Sequence, residues 1–210
     1  MLRVANLTYT YKENLRQITY DFSCSVKRGE IIAIMGESGC GKSTFLDLLA
    51  GFLTPVSGSV VFENQHLEDI PTEEKPLTIL FQNYNVFEHL SVLKNVLLGI
   101  NSKNKDISKA KKILSEVGLV GFEENIVSSL SGGQIQRVAL ARSLVRETPI
   151  LLLDEPFNGL DLDTRIKMLH LVKSITNEKK LCTIMVTHDL HDCELIADKI
   201  YKINNGKMIE

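Results

Sequence analysis

The sequence predicts an α/β domain built on a largely parallel sheet, with an antiparallel β portion on one side and a helical insert. Three observations carry that reading. The runs "IIAIM" (31–35), "ILLL" (150–153) and "CTIMV" (182–186) are apolar without interruption and are followed by polar residues, the pattern of parallel strands covered on both faces. From Ile18 to Val26 the chain instead alternates, with Ile18, Tyr20, Phe22, Cys24 and Val26 on one side and Thr19, Asp21, Ser23 and Ser25 on the other. That is a half-buried strand of antiparallel type. Helical spacing lies between these runs: Phe45, Leu48 and Leu49 before Gly51; Ile107, Ala110, Ile113, Leu114 and Val117 before Gly118; and Ile166, Leu169, Val172 and Ile175. The two glycines stand where helix C-caps fall.

Residues 84–147 interrupt the strand and helix alternation with "SVLKNVLLG", a Lys- and Ser-rich stretch at 102–112, and a further helix after "LSGG". The expected organisation is one domain, 1–210, in which 1–83 and 148–210 form the sheet core with its β portion and 84–147 form the helical insert. "NNGK" at 204–207 is a turn signal closing a last hairpin.

A chain of 210 residues suits a single domain with a sizeable core. With 24 Lys and Arg against 26 Asp and Glu, nothing global argues for nucleic acid as a partner. No stretch approaches the roughly 18 apolar residues of a membrane span, and the N-terminus has no apolar core of a signal peptide, so a cytosolic chain is expected. Cys24, Cys40, Cys182 and Cys193 show no paired spacing and read as free thiols. "HDLHDC" (188–193) could gather His188, His191, Asp192 and Cys193 around a metal, but zinc sites usually show more regular ligand spacing.

Gly36-Glu37-Ser38-Gly39-Cys40-Gly41-Lys42-Ser43 matches G-x-x-x-x-G-K-[ST] between an apolar strand and an amphipathic helix. Glycines let backbone N–H groups converge on phosphate oxygens, and the following helix N-terminus favours anions. Lys42 is expected to reach the β and γ phosphates, with Ser43 and Thr44 at the start of the helix and the Ser43 hydroxyl ligating Mg²⁺. Cys40, at a helix N-terminus beside Lys42, is expected to be a spectator with a reactive thiol.

"ILLLDEP" places Asp154 and Glu155 where a buried strand emerges. Asp154 suits a Mg²⁺-bound water. Strand alternation sends Glu155 to the opposite side, where it would polarise an attacking water if it faced the γ phosphate. Adjacent acids at a strand end also serve as ordinary loop features, and only the phosphate loop weights them toward chemistry.

Leu130-Ser131-Gly132-Gly133-Gln134 reads as a second anion site, a Ser-capped helix start with exposed N–H groups. It resembles the signature of ATP-binding cassette (ABC) ATPases, and the resemblance covers essentially the whole chain. It implies a RecA-like P-loop NTPase core with an antiparallel β subdomain and an inserted helical subdomain. It further implies Tyr11, in preference to Tyr9, as the aromatic stacking on adenine, and Gln82 as the Q-loop residue contacting Mg²⁺ or the lytic water. Asp161, in "NGLD", corresponds to the D-loop aspartate and His188 to the switch histidine at the γ phosphate. Two copies are expected to pack head to tail, with Ser131, Gly132, Gly133 and Gln134 of one completing the ATP site of the other. ATP closure of the dimer would move integral-membrane permease subunits gripped beside Gln82 and "YNVFEH", with a solute-binding protein as an indirect partner and the chain peripheral on the inner face of the cell membrane.

"LLAGFLTPVSGSV", "FEHLSV" and "ALARSLVRETPILLLDEPFNGLD" resemble the short ATPases of bacterial thiamine importers, with iron(III), molybdate and polyamine importer cassettes as near relatives. The sequence stops at Glu210, after the last hairpin, which agrees with the short type lacking a C-terminal regulatory domain. A mechanical ABC ATPase coupled to a non-transporting or lipoprotein-releasing membrane complex shares all these motifs and is the alternative. A soluble cassette of DNA repair or translation is disfavoured because the chain has neither a long coiled-coil insert nor a second cassette. Glu37, Glu88 and Asn158 depart from the usual Pro, Pro and small residue of the family pattern.

Overall fold

In the computed structural model, which describes residues 1–11, 19–83, 86–100 and 106–210, the apolar runs read from the sequence form the middle of one sheet. Its strands are β1 (Leu2–Thr10), β2 (Thr19–Val26), β3 (Glu30–Met35), β4 (Ser57–Phe62), β5 (Gln65–His66), β6 (Leu77–Leu80), β7 (Ile150–Asp154), β8 (Cys182–Val186), β9 (Lys199–Asn204) and β10 (Lys207–Ile209). They lie in the order β5-β4-β1-β2-β10-β9-β3-β8-β7-β6. From β9 to β6 across β3, β8 and β7 the pairing is parallel, while β5, β4, β1 and β2 pair antiparallel. The helices are α1 (Lys42–Ala50), α2 (Val92–Leu97), α3 (Ile107–Glu116), α4 (Gly132–Leu144), α5 (Leu162–Lys179) and α6 (Leu190–Ile196).

The uninterrupted apolar strands feed two cores at once. In β3, Ile31 and Ala33 face one core and Ile32 and Ile34 the other; in β7, Leu151 and Leu153 separate in the same way from Ile150 and Leu152. Helices α4, α5 and α6 cover the first face and α1 the second. Each large side chain so buried stabilises the fold by about 1.5–3 kcal/mol relative to exposure. The strand at 19–26 alternates as expected, with Tyr20, Phe22, Cys24 and Val26 buried and Thr19, Asp21 and Ser23 exposed. Ile18 lies outside the described residues, as do Tyr84 and Asn85 and residues 102–105 of the Lys- and Ser-rich stretch.

The "NNGK" turn joins the antiparallel pair β9 and β10, with Asn205 and Gly206 both at positive φ, 48° and 78°, as a two-residue hairpin turn requires. Gly51 caps α1 in the left-handed conformation, and α3 ends just before Gly118. Between β6 and β7 the described chain runs through α2, α3 and α4, its only extended pairing there being the bridge of Ser91 with Ile126. We propose that this helical portion spans 84–147 and the sheet portion 1–83 and 148–210. Among the described residues no helix is long and apolar enough to cross a membrane.

Candidate functional site

The loop after β3 folds back over the start of α1. Gly41 sits at φ 113°, where a Cβ would fall 2.4 Å from the Tyr20 ring. Both the backbone and the space therefore require glycine there. Lys42 opens α1 almost fully buried, 8% exposed, and its ammonium donates to the carbonyls of Gly36 (2.7 Å) and Glu37 (2.9 Å). Glu37 itself is exposed, and Cys40 tucks beneath Gly36, where a Cβ would lie 2.4 Å from its Sγ. Gly36, Glu37, Ser38, Gly39, Gly41, Lys42, Ser43 and Thr44 line one pocket of about 500 Å³ together with Gln82, Glu155 and His188.

Asp154 reaches the loop from the end of β7, accepting a hydrogen bond from Ser43 Oγ at 3.3 Å. Burial raises its pKa above the usual carboxylate range, opposed by the Ser43 hydroxyl and reinforced by the charges of Glu155 and Asp47. A hydroxyl and a carboxylate side by side are the hard oxygen donors that Mg²⁺ takes, so Ser43 and Asp154 fit that ion. A carboxyl whose folded pKa is raised holds its proton more tightly folded than unfolded, so ionising it lowers stability as pH rises through the window just above 3.8. Asp154→Asn is therefore expected to melt higher than the parent chain at pH 7 in EDTA. The difference should vanish below about pH 3.8, and scanning calorimetry across pH checks it.

Glu155 departs from the expectation that strand alternation turns it away from Asp154. It lies just past β7 at φ 47°, a left-handed conformation that is uncommon for a non-glycine residue. This breaks the alternation, and the side chain lines the phosphate-loop pocket. Its Oε2 accepts from Gln82 Nε2 at 3.3 Å, and from the Asn158 side-chain amide. His188 Nδ1 lies 3.6 Å from Oε1. Gln82, Glu155 and His188, drawn from three separate loops, thus meet at one carboxylate.

Tyr11 follows β1 and is 36% exposed. Its hydroxyl pairs with Thr44 Oγ1 at 3.1 Å, and its ring stands edge-on to Tyr9 and Tyr20. It therefore reaches the phosphate-loop helix, whereas Tyr9 packs against the core.

The signature residues lie apart from this pocket. Ser131 caps α4 in a capping box, its Oγ accepting from Gln134 N while Gln134 Oε1 accepts from Ser131 N. A Cβ on Gly132 would meet nothing within 4 Å, and one on Gly133 would come within 3.3 Å of Leu160. The helix start is thus open to close approach from outside the chain, beside the loop that leads to Asp161. Asp161 caps α5 through Thr164 N at 3.0 Å, an interaction that holds its carboxyl below the usual range.

Two links here have no counterpart in the motif reading. Gln136, fully buried, donates from Nε2 to the Pro156 carbonyl, tying α4 to the turn after Glu155. Its signal is a polar residue on the face of α4 that also carries Leu140 and Ser143. Arg165 of α5 forms a two-pronged pair with Asp192 of α6, both bonds 2.7 Å, and also meets Asp189 at 2.7 Å. This clamp holds the helix that follows His188 and commits Asp192, while burial pushes the Cys193 thiol up to about 11. Within "HDLHDC" Asp192 is thus engaged by Arg165, Cys193 is buried, and His188 faces the pocket instead.

A groove of about 610 Å³ runs between the sheet portion and the helical portion, lined among others by Phe52, Phe81, Phe87, Leu98, Arg142 and Arg146. Phe52, Phe87 and Leu98 are 53%, 46% and 44% exposed, and the Arg142 guanidinium lies over the Phe87 ring at 5.7 Å.

This fold and loop define a P-loop nucleotide-binding domain. The chain belongs to the ABC transporter family, whose model matches residues 19–158. It is 42% identical over 212 residues to the thiamine import ATP-binding protein ThiQ of Escherichia coli (strain K12), covering 99% of this chain and 90% of that protein. The ThiQ of Jannaschia sp. (strain CCS1) is likewise 42% identical, over 205 residues, covering 94% of this chain and 90% of that one. Among solved structures, the fold matches the ATP-binding cassette MJ0796 in a dimeric post-hydrolysis state bound to ADP and Pi, with TM-score 0.89 and 31% identity over 100% of this chain and 97% of that one. A second dimeric structure of MJ0796, described as a bacterial ABC transporter cassette, matches with TM-score 0.88 and 31% identity.

Proposed function

We infer that the chain is the ATP-binding and ATP-hydrolysing subunit of a bacterial ABC importer, and that the imported solute is thiamine. The observation that carries the chemistry is the convergence of Gln82, Glu155 and His188 on the pocket of the Lys42 loop. The solute rests on relatives at 42% identity across nearly the whole chain, which are named as thiamine import subunits. Those names favour import over the mechanical alternative.

In this reading the backbone from Gly36 to Thr44, including Ser38, Gly39, Cys40 and Gly41, cradles the phosphates, and Lys42 carries the opposing charge. Tyr11 stacks on adenine. Ser43 and Asp154 would hold Mg²⁺, the latter through water and with Gln82 nearby, and the ion supplies charge neutralisation on the phosphate oxygens. Glu155 accepts a proton from water as the water oxygen bonds to the γ phosphorus. The bond from that phosphorus to the β–γ bridging oxygen breaks, and its electron pair leaves with ADP. His188 and Gln82 orient the water and the γ phosphate.

Ser131, Gly132, Gly133 and Gln134 stand outside the chain's own pocket, so they serve the ATP of a second copy, with Asp161 at the contact between copies. The dimeric MJ0796 cassettes, similar over the full chain, support this arrangement. The groove rimmed by Phe52, Phe87 and Leu98 receives the permease, because exposed aromatic and aliphatic side chains at one cleft mark a protein contact. The chain then works at the cytoplasmic face of the membrane, and a solute-binding protein delivers to the permease from the other side.

The test is uptake of radiolabelled thiamine by cells carrying or lacking this chain beside its permease. Loss of uptake on deletion, restored by the parent chain and not by Lys42→Ala, is the expected result. Unchanged thiamine uptake, with loss of another solute, would overturn the thiamine assignment while leaving the importer intact.

A further inference from the structure

We propose that Asn158 is a positioning residue for hydrolysis, holding Glu155 by Oε2 so that Oε1 is the oxygen presented to the attacking water. This rests on Glu155 being the catalytic carboxylate.

Asn158 is tied to Glu155 twice. Its backbone N–H approaches the Glu155 carbonyl at 3.5 Å, closing the turn 155–158, and its side-chain amide donates to Oε2. An ionised carboxylate only accepts hydrogen bonds, so the NH₂ end of the Asn158 amide is the end that Glu155 takes. The turn beneath is itself anchored. Glu155 N–H donates to Val186 O at 2.9 Å, Gln136 holds the Pro156 carbonyl, and Phe157 is buried in the core. A left-handed residue at 155 would otherwise leave its side chain with no strand neighbours to orient it. The amide of Asn158 therefore supplies a fixed donor beside it.

The two carboxylate oxygens are consequently unlike. Oε2 takes both Gln82 and Asn158, whereas Oε1 faces His188 at 3.6 Å. An oxygen already accepting two hydrogen bonds has its lone pairs engaged, which leaves its partner as the oxygen open to water. The chain also continues from Asn158 through Leu160, which packs at Gly133 of the signature helix, to the Asp161 cap of α5. Asn158 thus sits where the loop assigned to the dimer contact meets the catalytic carboxylate.

The experiment compares Asn158→Ala and Asn158→Asp with the parent chain, measuring steady-state ATPase kinetics and ATP affinity by calorimetry. Asn158→Ala is expected to lower kcat roughly tenfold with the ATP KM and affinity unchanged, the loss of one oriented hydrogen bond to a charged group. Asn158→Asp keeps the size but replaces the donor with a second carboxylate, and should lower kcat at least as far. A space-filling role predicts that Asp behaves like Asn, so equal kcat for Asn158→Asp and the parent chain overturns the proposal. An unchanged or raised kcat in Asn158→Ala overturns it too, the latter by showing that the amide restrains Glu155. Glu155→Gln is the control: if that variant turns over normally, the reading of Glu155 itself fails, whereas an inactive Glu155→Gln beside fully active Asn158 variants sinks only the role of Asn158.

Discussion

Glu155→Gln is expected to bind ATP with the parent affinity, lose turnover by roughly 10²- to 10⁴-fold, and accumulate as an ATP-dependent dimer. The substitution is nearly isosteric and keeps an oxygen able to accept from Gln82 and Asn158. It removes only the group that takes the water proton, a contribution of that size for general bases, or about 3–5 kcal/mol in the barrier. Binding energy and dimer closure are spent before this step, so they survive. Single-turnover hydrolysis and gel filtration with ATP separate the two. Normal turnover by the variant would remove Glu155 from the mechanism.

Lys42→Ala acts earlier. Lys42 is 8% exposed at the start of α1, its ammonium held by the carbonyls of Gly36 and Glu37. Hydrogen bonds to charged groups are worth about 1.5–3 kcal/mol each, so deleting this one should weaken ATP binding roughly 10- to 100-fold. The two carbonyls would also lose their shared donor, so the loop itself should loosen. Titration calorimetry reads the affinity directly, and an affinity equal to the parent's would refute the phosphate assignment. The two variants are complementary, one binding without turnover and the other binding more weakly.

The elements legible in the sequence are those whose cause is local. Ile31 to Met35 and Cys182 to Val186 are strands because their apolar side chains need cover on both faces. Ser131 caps a helix because its hydroxyl meets an amide three residues on. β6 and β4 gave weaker signals for equally physical reasons. Leu77–Leu80 spans four residues, and Ser57–Phe62 begins with two exposed ones. The alternation rule misled at Glu155, because it holds only while the backbone stays extended, and φ there is 47°.

By itself, the sequence determined the phosphate loop, the two carboxylates, the capped signature helix and the strand and helix framework. Each depends on side-chain spacing or backbone preference within a few residues. Tertiary structure alone decided what surrounds Glu155. Gln82 lies 73 positions away in the chain, and it reaches Oε2 only because parallel pairing sets the end of β6 beside the end of β7. It also decided that Asp192 belongs to Arg165 rather than to a metal, 27 positions apart, and that Asn158 turns its amide inward. Such contacts depend on how the sheet aligns its strand ends and how α4, α5 and α6 pack upon it, and spacing along the chain carries no record of them.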